Sequence, residues 1–285
     1  MARSEILIIG INSFLGKAIY ELTKTKYAVV GVYNNNKENI PDGIETLHID
    51  AIDTLKGRDF SQIYLISSYV PGAGEKGDDQ KLTEVNVLLP RAISELFPGS
   101  RIVFCSSVSV YENVSGGENI SCINNPMPQS KYALSKLWGE RIIEDHPSYA
   151  IIRISSMYGV GMKAITFIPR IIENAILKGE IILQGLGNRM QNYIHVDDVA
   201  DIAVRAASLS ENITLLAVND SSYSNKNIAE MILEIIPGKL SFSGEDYSKS
   251  SLYDNAATHA AVGRIEFKDI KTGLRELAEW SAKKF

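Results

Sequence analysis

The opening residues 5–16, EILIIGINSFLG, run from a short apolar stretch into a glycine-bearing turn and then into the helical pattern FLGKAIYELTK. A stretch that is apolar on both faces suits a strand covered on both sides, as strands of parallel sheets are. The same alternation recurs along the chain. Further strands are expected at 27–33 (YAVVGVY), 44–49 (IETLHI), 62–66 (QIYLI), 101–106 (RIVFCS) and 149–154 (YAIIRI), with helical patterns between most of them, notably 80–97 and 129–146. Strands alternating with helices imply an α/β fold with a doubly wound, Rossmann-like parallel sheet.

Past residue 160 the pattern changes. A helix is expected at 164–178, then a short strand, a Gly-rich turn, a short strand and a helix within IILQGLGNRMQNYIHVDDVADIAVRAA. One strand (213–218), a helix (226–236), a polar loop (241–251) and a C-terminal helix from about 270 complete the chain. Residues 1–160 read as a dinucleotide-binding domain. Residues 161–285 read mainly as a smaller substrate-binding domain, some of whose segments return to the sheet.

The 285 residues are enough for such an arrangement, and 45% hydrophobic with 22% charged residues is ordinary for a globular protein. A net charge of −5 gives no electrostatic reason to expect nucleic acid or an anionic membrane as partner. No apolar run approaches the ~20 residues that span a bilayer. The N-terminal MARSEILIIGINS lacks a signal-peptide pattern, and only Cys105 and Cys122 are present. A reducing cytoplasm is therefore expected; a disulfide framework is not, and two lone cysteines fall short of a structural zinc site.

The first turn, Gly10-Ile11-Asn12-Ser13-Phe14-Leu15-Gly16, links strand to helix with the spacing Gly-x-x-Ser-x-x-Gly. Glycines let backbone approach an anion, and a helix N-terminus supplies N–H groups and a positive dipole end. Ser13 stands where a middle glycine is expected but is small enough to keep that approach open. An ordinary connection is the bland alternative. A mononucleotide P-loop does not fit, because Ala18 follows Lys17 and five residues, where that motif has four, separate the glycines. An acid normally ends the second strand when a ribose 2′-hydroxyl is bound. Here Tyr33 is followed by Asn34, Asn35, Asn36 and Lys37. That run favours NADP(H) over NAD(H), unless it is only a solvated loop.

The stretch SKYALSK places Tyr132 and Lys136 four residues apart, on one helix face. In one reading the ring packs and the lysine snorkels. In the other the ammonium favours the phenolate, drawing a tyrosine from its usual value near ~10 towards a general acid/base. Upstream, RIVFCSS ends a strand in Ser106-Ser107, where parallel sheets present active-site groups. A hydroxyl there can orient a substrate oxygen.

With these motifs in order, the chain resembles the extended short-chain dehydrogenase/reductase family, the branch of NAD(P)-dependent nucleotide-sugar epimerases, dehydratases and 4-keto reductases. The resemblance rests on GINSFLG at 10–16, CSSVSVY at 105–111, SKYALSK at 130–136, RISSMYGVG at 153–161 and NYIHVDDVADI at 192–202. It implies Ser107, Tyr132 and Lys136 as catalytic trio, with Lys136 also on the cofactor ribose. It implies Asn86 in EVNVLLPRA as support for the site and a cofactor neighbour, and Asp50 at the end of the third strand as an adenine contact. It also implies a homodimer through the helices carrying Asn86 and Tyr132.

Departures from the family pattern narrow the chemistry. Val108 and Ser109 replace the acidic pair of the dehydratases, and Ser109 also replaces the cysteine of the 3,5-epimerising type. What remains is chemistry at one carbinol carbon: 4-keto reduction, favoured by the missing ribose acid, or 4-epimerisation with recycled NAD. Gln191-Asn192 replaces an Arg-Asp pair of many relatives, leaving Arg189 to hold a diphosphate from a shifted position. Ser107, Ser109 and Arg189 are the expected substrate contacts. Asp197-Asp198 are expected to cap a helix, His195 and Cys105 to pack, and Tyr111, Arg153 and Tyr158 either to touch substrate or to brace the fold. A protein of a different class, a catalytically silent dinucleotide-binding subunit, keeps some standing because of the altered phosphate end.

Overall fold

The computed structural model describes residues 3–34, 36–72, 77–114 and 119–285. Asn35 of the polar run after the second strand lies outside them.

Among the described residues, seven parallel strands form the central sheet: β1 (Glu5–Ile9), β2 (Ala28–Tyr33), β3 (Glu45–His48), β4 (Gln62–Leu65), β5 (Arg101–Ser107), β6 (Tyr149–Ile154) and β10 (Ile213–Ala217). Their order is β3-β2-β1-β4-β5-β6-β10. The order reverses between β1 and β4, so their carboxyl ends open a crevice there, where doubly wound sheets bind ligands. The all-apolar character of β1 follows from burial on both faces: Ile6, Leu7, Ile8 and Ile9 are fully covered. Ile6 and Ile8 face a core shared with α1 (Phe14–Thr23) and α6 (Val196–Ala206). Leu7 and Ile9 face the opposite core, closed by Ile93 and Phe97 at α3 (Leu89–Leu96) and by Ile143 of α4 (Lys131–Glu144).

The expected helix over 80–97 is divided. α2 (Asp79–Thr83) passes through a π-helical turn, Glu84–Leu88, into α3. Pro90 lies at the start of α3, where its missing N–H costs least.

The later residues build a second core. It gathers α5 (Phe167–Lys178), β8 (Glu180–Gln184), α7 (Asn225–Ile235) and α9 (Ile270–Ala282) around Ile172, Ile181, Ile228 and Leu274. β9 (Met190–His195) lies between β7 (Ser156–Tyr158) and β11 (Ser222–Ser224). The expected loop over 241–251 is partly strand: β12 (Lys239–Ser243) pairs in parallel with β8. Its sequence KLSFS is polar because this two-stranded sheet leaves Phe242 and Ser243 exposed, so its period-2 signal is weak. α8 (Ala256–Val262) was not expected and packs on β10 through Thr258, whose hydroxyl donates to the Leu216 carbonyl at 2.8 Å.

Candidate active site

The phosphate turn is built from backbone. Gly10 adopts φ +100°, and its N–H donates to the Val32 carbonyl at 2.8 Å. Gly16 has no room for a side chain: a Cβ would lie 2.2 Å from the Gly10 carbonyl oxygen. Ser13 is the N-cap of α1. Its Oγ accepts from the Gly16 N–H at 3.0 Å and donates to the Gly10 carbonyl at 2.7 Å. Its hydroxyl therefore closes the turn. Helices leave their first N–H groups without internal acceptors; with Gly16 satisfied by Ser13, those of Phe14 and Leu15 remain for an anion. The Leu15 side chain is core, and Phe14 packs against both large cores. Asn12 reaches across to the loop after β2, its Nδ2 donating to the Asn36 carbonyl at 3.0 Å. Asn34 is exposed at the end of β2, and the Lys37 ammonium sits 5.6 Å from the Tyr33 ring centre. Tight glycine packing, a helix N-terminus and exposed amides together fit a dinucleotide.

Two expected cofactor contacts are placed differently. Asp50 lies two residues beyond β3, in a 3₁₀ turn over Ile49–Leu55. Its side chain is 87% exposed and pairs with His48 at 3.2 Å. Asn86 is 1% exposed on the π-helical turn. Its Oδ1 accepts from Ser68 Oγ at 3.1 Å and from the Tyr69 N–H at 2.9 Å. Its Nδ2 donates to the Tyr69 carbonyl and to Ser135 Oγ, both at 3.0 Å. Asn86 thus ties the segment after β4 to α4, and its hydrogen-bonding capacity is spent within the protein.

At the catalytic end Ser107 closes β5. Its Oγ accepts from Ser109 N–H at 3.2 Å and Ser109 Oγ at 3.0 Å, which leaves its own proton to be donated outward. Half-buried Tyr132 stands on the first turn of α4, held by the Ser130 cap. Burial raises its phenol above the ordinary tyrosine value; hydrogen bonds with Ser107 and Ser68 oppose this, and the Glu112 carboxylate adds to it. Glu112 is itself fixed at the start of α4, accepting from Ser130 N–H at 2.7 Å and Ser130 Oγ at 2.8 Å.

Lys136 corrects the simplest reading of SKYALSK. Its ammonium is 1% exposed, donates to the Cys105 carbonyl at 2.6 Å and lies 4.4 Å from the Phe104 ring centre. It rests under the end of β5, and the raised Tyr132 phenol is not the lowered one expected from a neighbouring cation. Burial pulls Lys136 down to about 8, against the opposing effects of Cys105 and Glu140.

The remaining residues sort by contact. Arg153 is buried against Glu140 and donates to the Tyr111 hydroxyl, so both brace the fold. Tyr158 is 1% exposed and packs edge-on against His195. His195 caps α6, its Nδ1 accepting from the Asp197 N–H at 3.2 Å. The expected caps Asp197 and Asp198 instead occupy the first turn and bind Lys268. Gln191 donates to Tyr193 Oη and Asn225 Oδ1, and Asn192 clasps Ser155, Asn219 and Ser221. Arg189 sits between β8 and β9, its Nε donating to the Lys249 carbonyl at 3.3 Å. Ser107, Ser109 and Tyr132 are thus brought together; Arg189 is tied to the Lys249 carbonyl, and Asp50 turns its side chain to solvent beside His48. Ser68, Glu112 and Glu140 were missed. Glu140 was accessible from sequence, since it continues the 132, 136 stripe by one more helical step.

The family model "NAD dependent epimerase/dehydratase family" matches residues 6–215. The chain belongs to this family. It is an enzyme of the extended short-chain dehydrogenase/reductase type, a family of NAD-dependent nucleotide-sugar epimerases, dehydrogenases and dehydratases. A curated relative, GDP-6-deoxy-D-talose 4-dehydrogenase of Aggregatibacter actinomycetemcomitans, is 23% identical over 239 residues, covering 81% of this chain and 80% of its own. Among solved structures, UDP-glucuronic acid 4-epimerase from Bacillus cereus, in complex with UDP-glucuronic acid and NAD, superposes with a TM-score of 0.85 at 17% identity, over 99% of this chain and 100% of that one. UDP-glucose 4-epimerase from Thermotoga maritima, with UDP-glucose, gives 0.86 at 16% identity, over 98% and 99%. Both structural likenesses speak for the fold.

Proposed function

We propose that this family member is an NADPH-dependent reductase acting on the 4-keto carbon of a nucleotide-linked sugar. The observation that carries the reading is the placement of the Tyr132 phenol on the first turn of α4, in hydrogen-bonding reach of Ser107 at the carboxyl end of β5. A protonated phenol at neutral pH suits a proton donor, which is what carbonyl reduction needs.

A dinucleotide held at the turn 10–16 would supply the hydride. Ser107 donates a hydrogen bond to the keto oxygen and orients the carbonyl. As hydride adds to the carbonyl carbon, the π-bond electron pair would move onto the oxygen and take the Tyr132 proton, and solvent would reprotonate the phenolate. Lys136 holds the ribose and, once drawn off the Cys105 carbonyl, offers its charge to the phenolate. Gly10, Ser13 and Gly16 shape the turn, and the N–H groups of Phe14 and Leu15 bind the pyrophosphate. Asn34 stands where an acid would repel a 2′-phosphate, and Lys37 offers that phosphate a cation. Ser109 orients Ser107, and Arg189 takes the sugar's diphosphate.

A homodimer is part of this reading. Leu134 and Trp138 of α4 lie one helical step apart, and they and Leu88 before α3 are exposed at 51%, 59% and 47%. Two free cysteines suit a cytoplasmic setting, and among the described residues no helix is long and apolar enough to cross a membrane.

The test is NADPH oxidation, followed by absorbance, with a panel of 4-keto nucleotide sugars. Turnover is expected with at least one, and Tyr132→Phe should cut it by about 10²–10⁴-fold while dinucleotide binding survives. Interconversion of 4-epimers without net NADPH loss would replace the reductase reading with an epimerase. Full-rate turnover by Tyr132→Phe would overturn both.

A further inference from the structure

Beneath the site lies a charge cluster of which the proposed chemistry uses Lys136 alone. Lys136, Glu140 and Arg153 are 1%, 0% and 4% exposed. Glu140 accepts from Arg153 three times, at 3.0 and 3.2 Å from Nε and 2.7 Å from Nη2, and from Ser106 Oγ at 2.5 Å. Arg153 spends Nη1 on the Tyr111 hydroxyl. One carboxylate therefore joins α4 to β5, at the residue before Ser107, and to β6. Through Arg153 it also reaches the 3₁₀ turn Val108–Tyr111, which carries Ser109.

Burying two cations and one anion is a poor source of stability, because desolvation offsets the attraction, and apolar replacements of similar shape often fold as well. What such a pair supplies is register. Of the four segments it joins, β5, the 3₁₀ turn and α4 carry Ser107, Ser109, Tyr132 and Lys136. The cluster also holds one positive charge in excess, and the near contacts of Lys136 are a neutral carbonyl and a ring. Glu140 is the carboxylate that acts on it, together with Cys105 from β5; Arg153 of β6 and Tyr111 of the 3₁₀ turn face it through Glu140.

We propose that Glu140 and Arg153 are a positioning pair, locking the ends of β5 and β6, the 3₁₀ turn and α4 into the one geometry that sets the Lys136 ammonium on the Cys105 carbonyl. Its effect on turnover rests on the reductase reading; its effect on Lys136 is a property of the free protein.

Two variants of the full chain test it. The first is Glu140→Gln, which keeps shape and removes charge. The Lys136 titration, followed by NMR with ¹³C-labelled lysine, should fall by about one pH unit. Turnover per site should drop about tenfold to a hundredfold with little change in sugar KM, as a displaced constellation does. The second is the double variant Glu140→Met/Arg153→Met. It should melt near the wild-type temperature yet lose turnover to a similar degree. An unmoved Lys136 midpoint in Glu140→Gln overturns the proposal, as does a folded double variant with wild-type kcat. A wild type that oxidises no NADPH defeats the reductase reading alone, and the Lys136 midpoint still decides for or against the pair.

Discussion

The two ends of the cleft solve their problems by different physics. The turn at 10–16 is steric and local: Ser13 bonds Gly10 and Gly16, three residues to either side, and a missing Cβ at Gly16 lets helix meet turn. The catalytic end is electrostatic and assembled from afar, with Tyr132, Lys136 and Glu140 of α4 meeting Ser68, Ser107, Glu112 and Arg153 from other segments. The first adds to stability while it makes a site. The second holds a cation out of water and gives stability up, as functional sites commonly do.

The steric end should break most sharply. In Gly16→Ala the new methyl would overlap a backbone carbonyl that Ser13 and the β2 contacts hold in place. Overpacking at such a point costs about 3 kcal/mol. A thermal melt should show the loss, and dinucleotide affinity should go with it. A variant that melts like wild type would mean that the turn relaxes freely.

Sequence and structure agree best where chemistry is local. The six early strands, the Gly-x-x-Ser-x-x-Gly turn and the helix of SKYALSK are legible because burial on both faces, backbone freedom and the helical repeat each leave a short-range pattern. Position along the chain was not enough for Asp50, which falls just past its strand and turns to solvent. Asn86 spends its amide on the segment at 68–69 and on Ser135 of α4, a supporting tie between the two and not a cofactor contact. Lys136 shows the limit most clearly. Spacing puts it on the face of Tyr132, but the direction of a long side chain is set by what lies beneath it, here the Cys105 carbonyl and the Phe104 ring. β12 and α8 were illegible because one is largely exposed and the other is short.

The electrostatic end should respond in the opposite sense. Lys136 titrates in the folded protein at about 8, below its ordinary 10.5. Between those values the unfolded chain holds a proton that the folded chain has released, so wild-type stability should rise with pH across that window. Lys136→Met removes the desolvation cost and also the bond to the Cys105 carbonyl, for a net gain of about 1–2 kcal/mol at pH 7. Melts from pH 7 to 10.5 should show the variant ahead at the low end and the advantage fading upward, while dinucleotide binding weakens. A variant that is less stable at pH 7 would show that the buried ammonium is a net asset, and would erase the contrast between the two ends.

The smallest expected effect lies at the rim, where the two modes meet. Asn34 is exposed at the end of β2, where an acid would repel a 2′-phosphate. In Asn34→Asp a new carboxylate near a dianion in solvent costs about 1 kcal/mol. The ratio of NADPH to NADH dissociation constants should therefore rise roughly fivefold to tenfold. Because both charges face water, most of that change should vanish in 1 M salt, where the screening length is about 3 Å. A ratio that moves and is insensitive to salt would place Asn34 in direct hydrogen bonding with the ribose. A ratio that does not move would detach Asn34 from the ribose, and the preference for NADPH would then have to come from Lys37, held beside the Tyr33 ring.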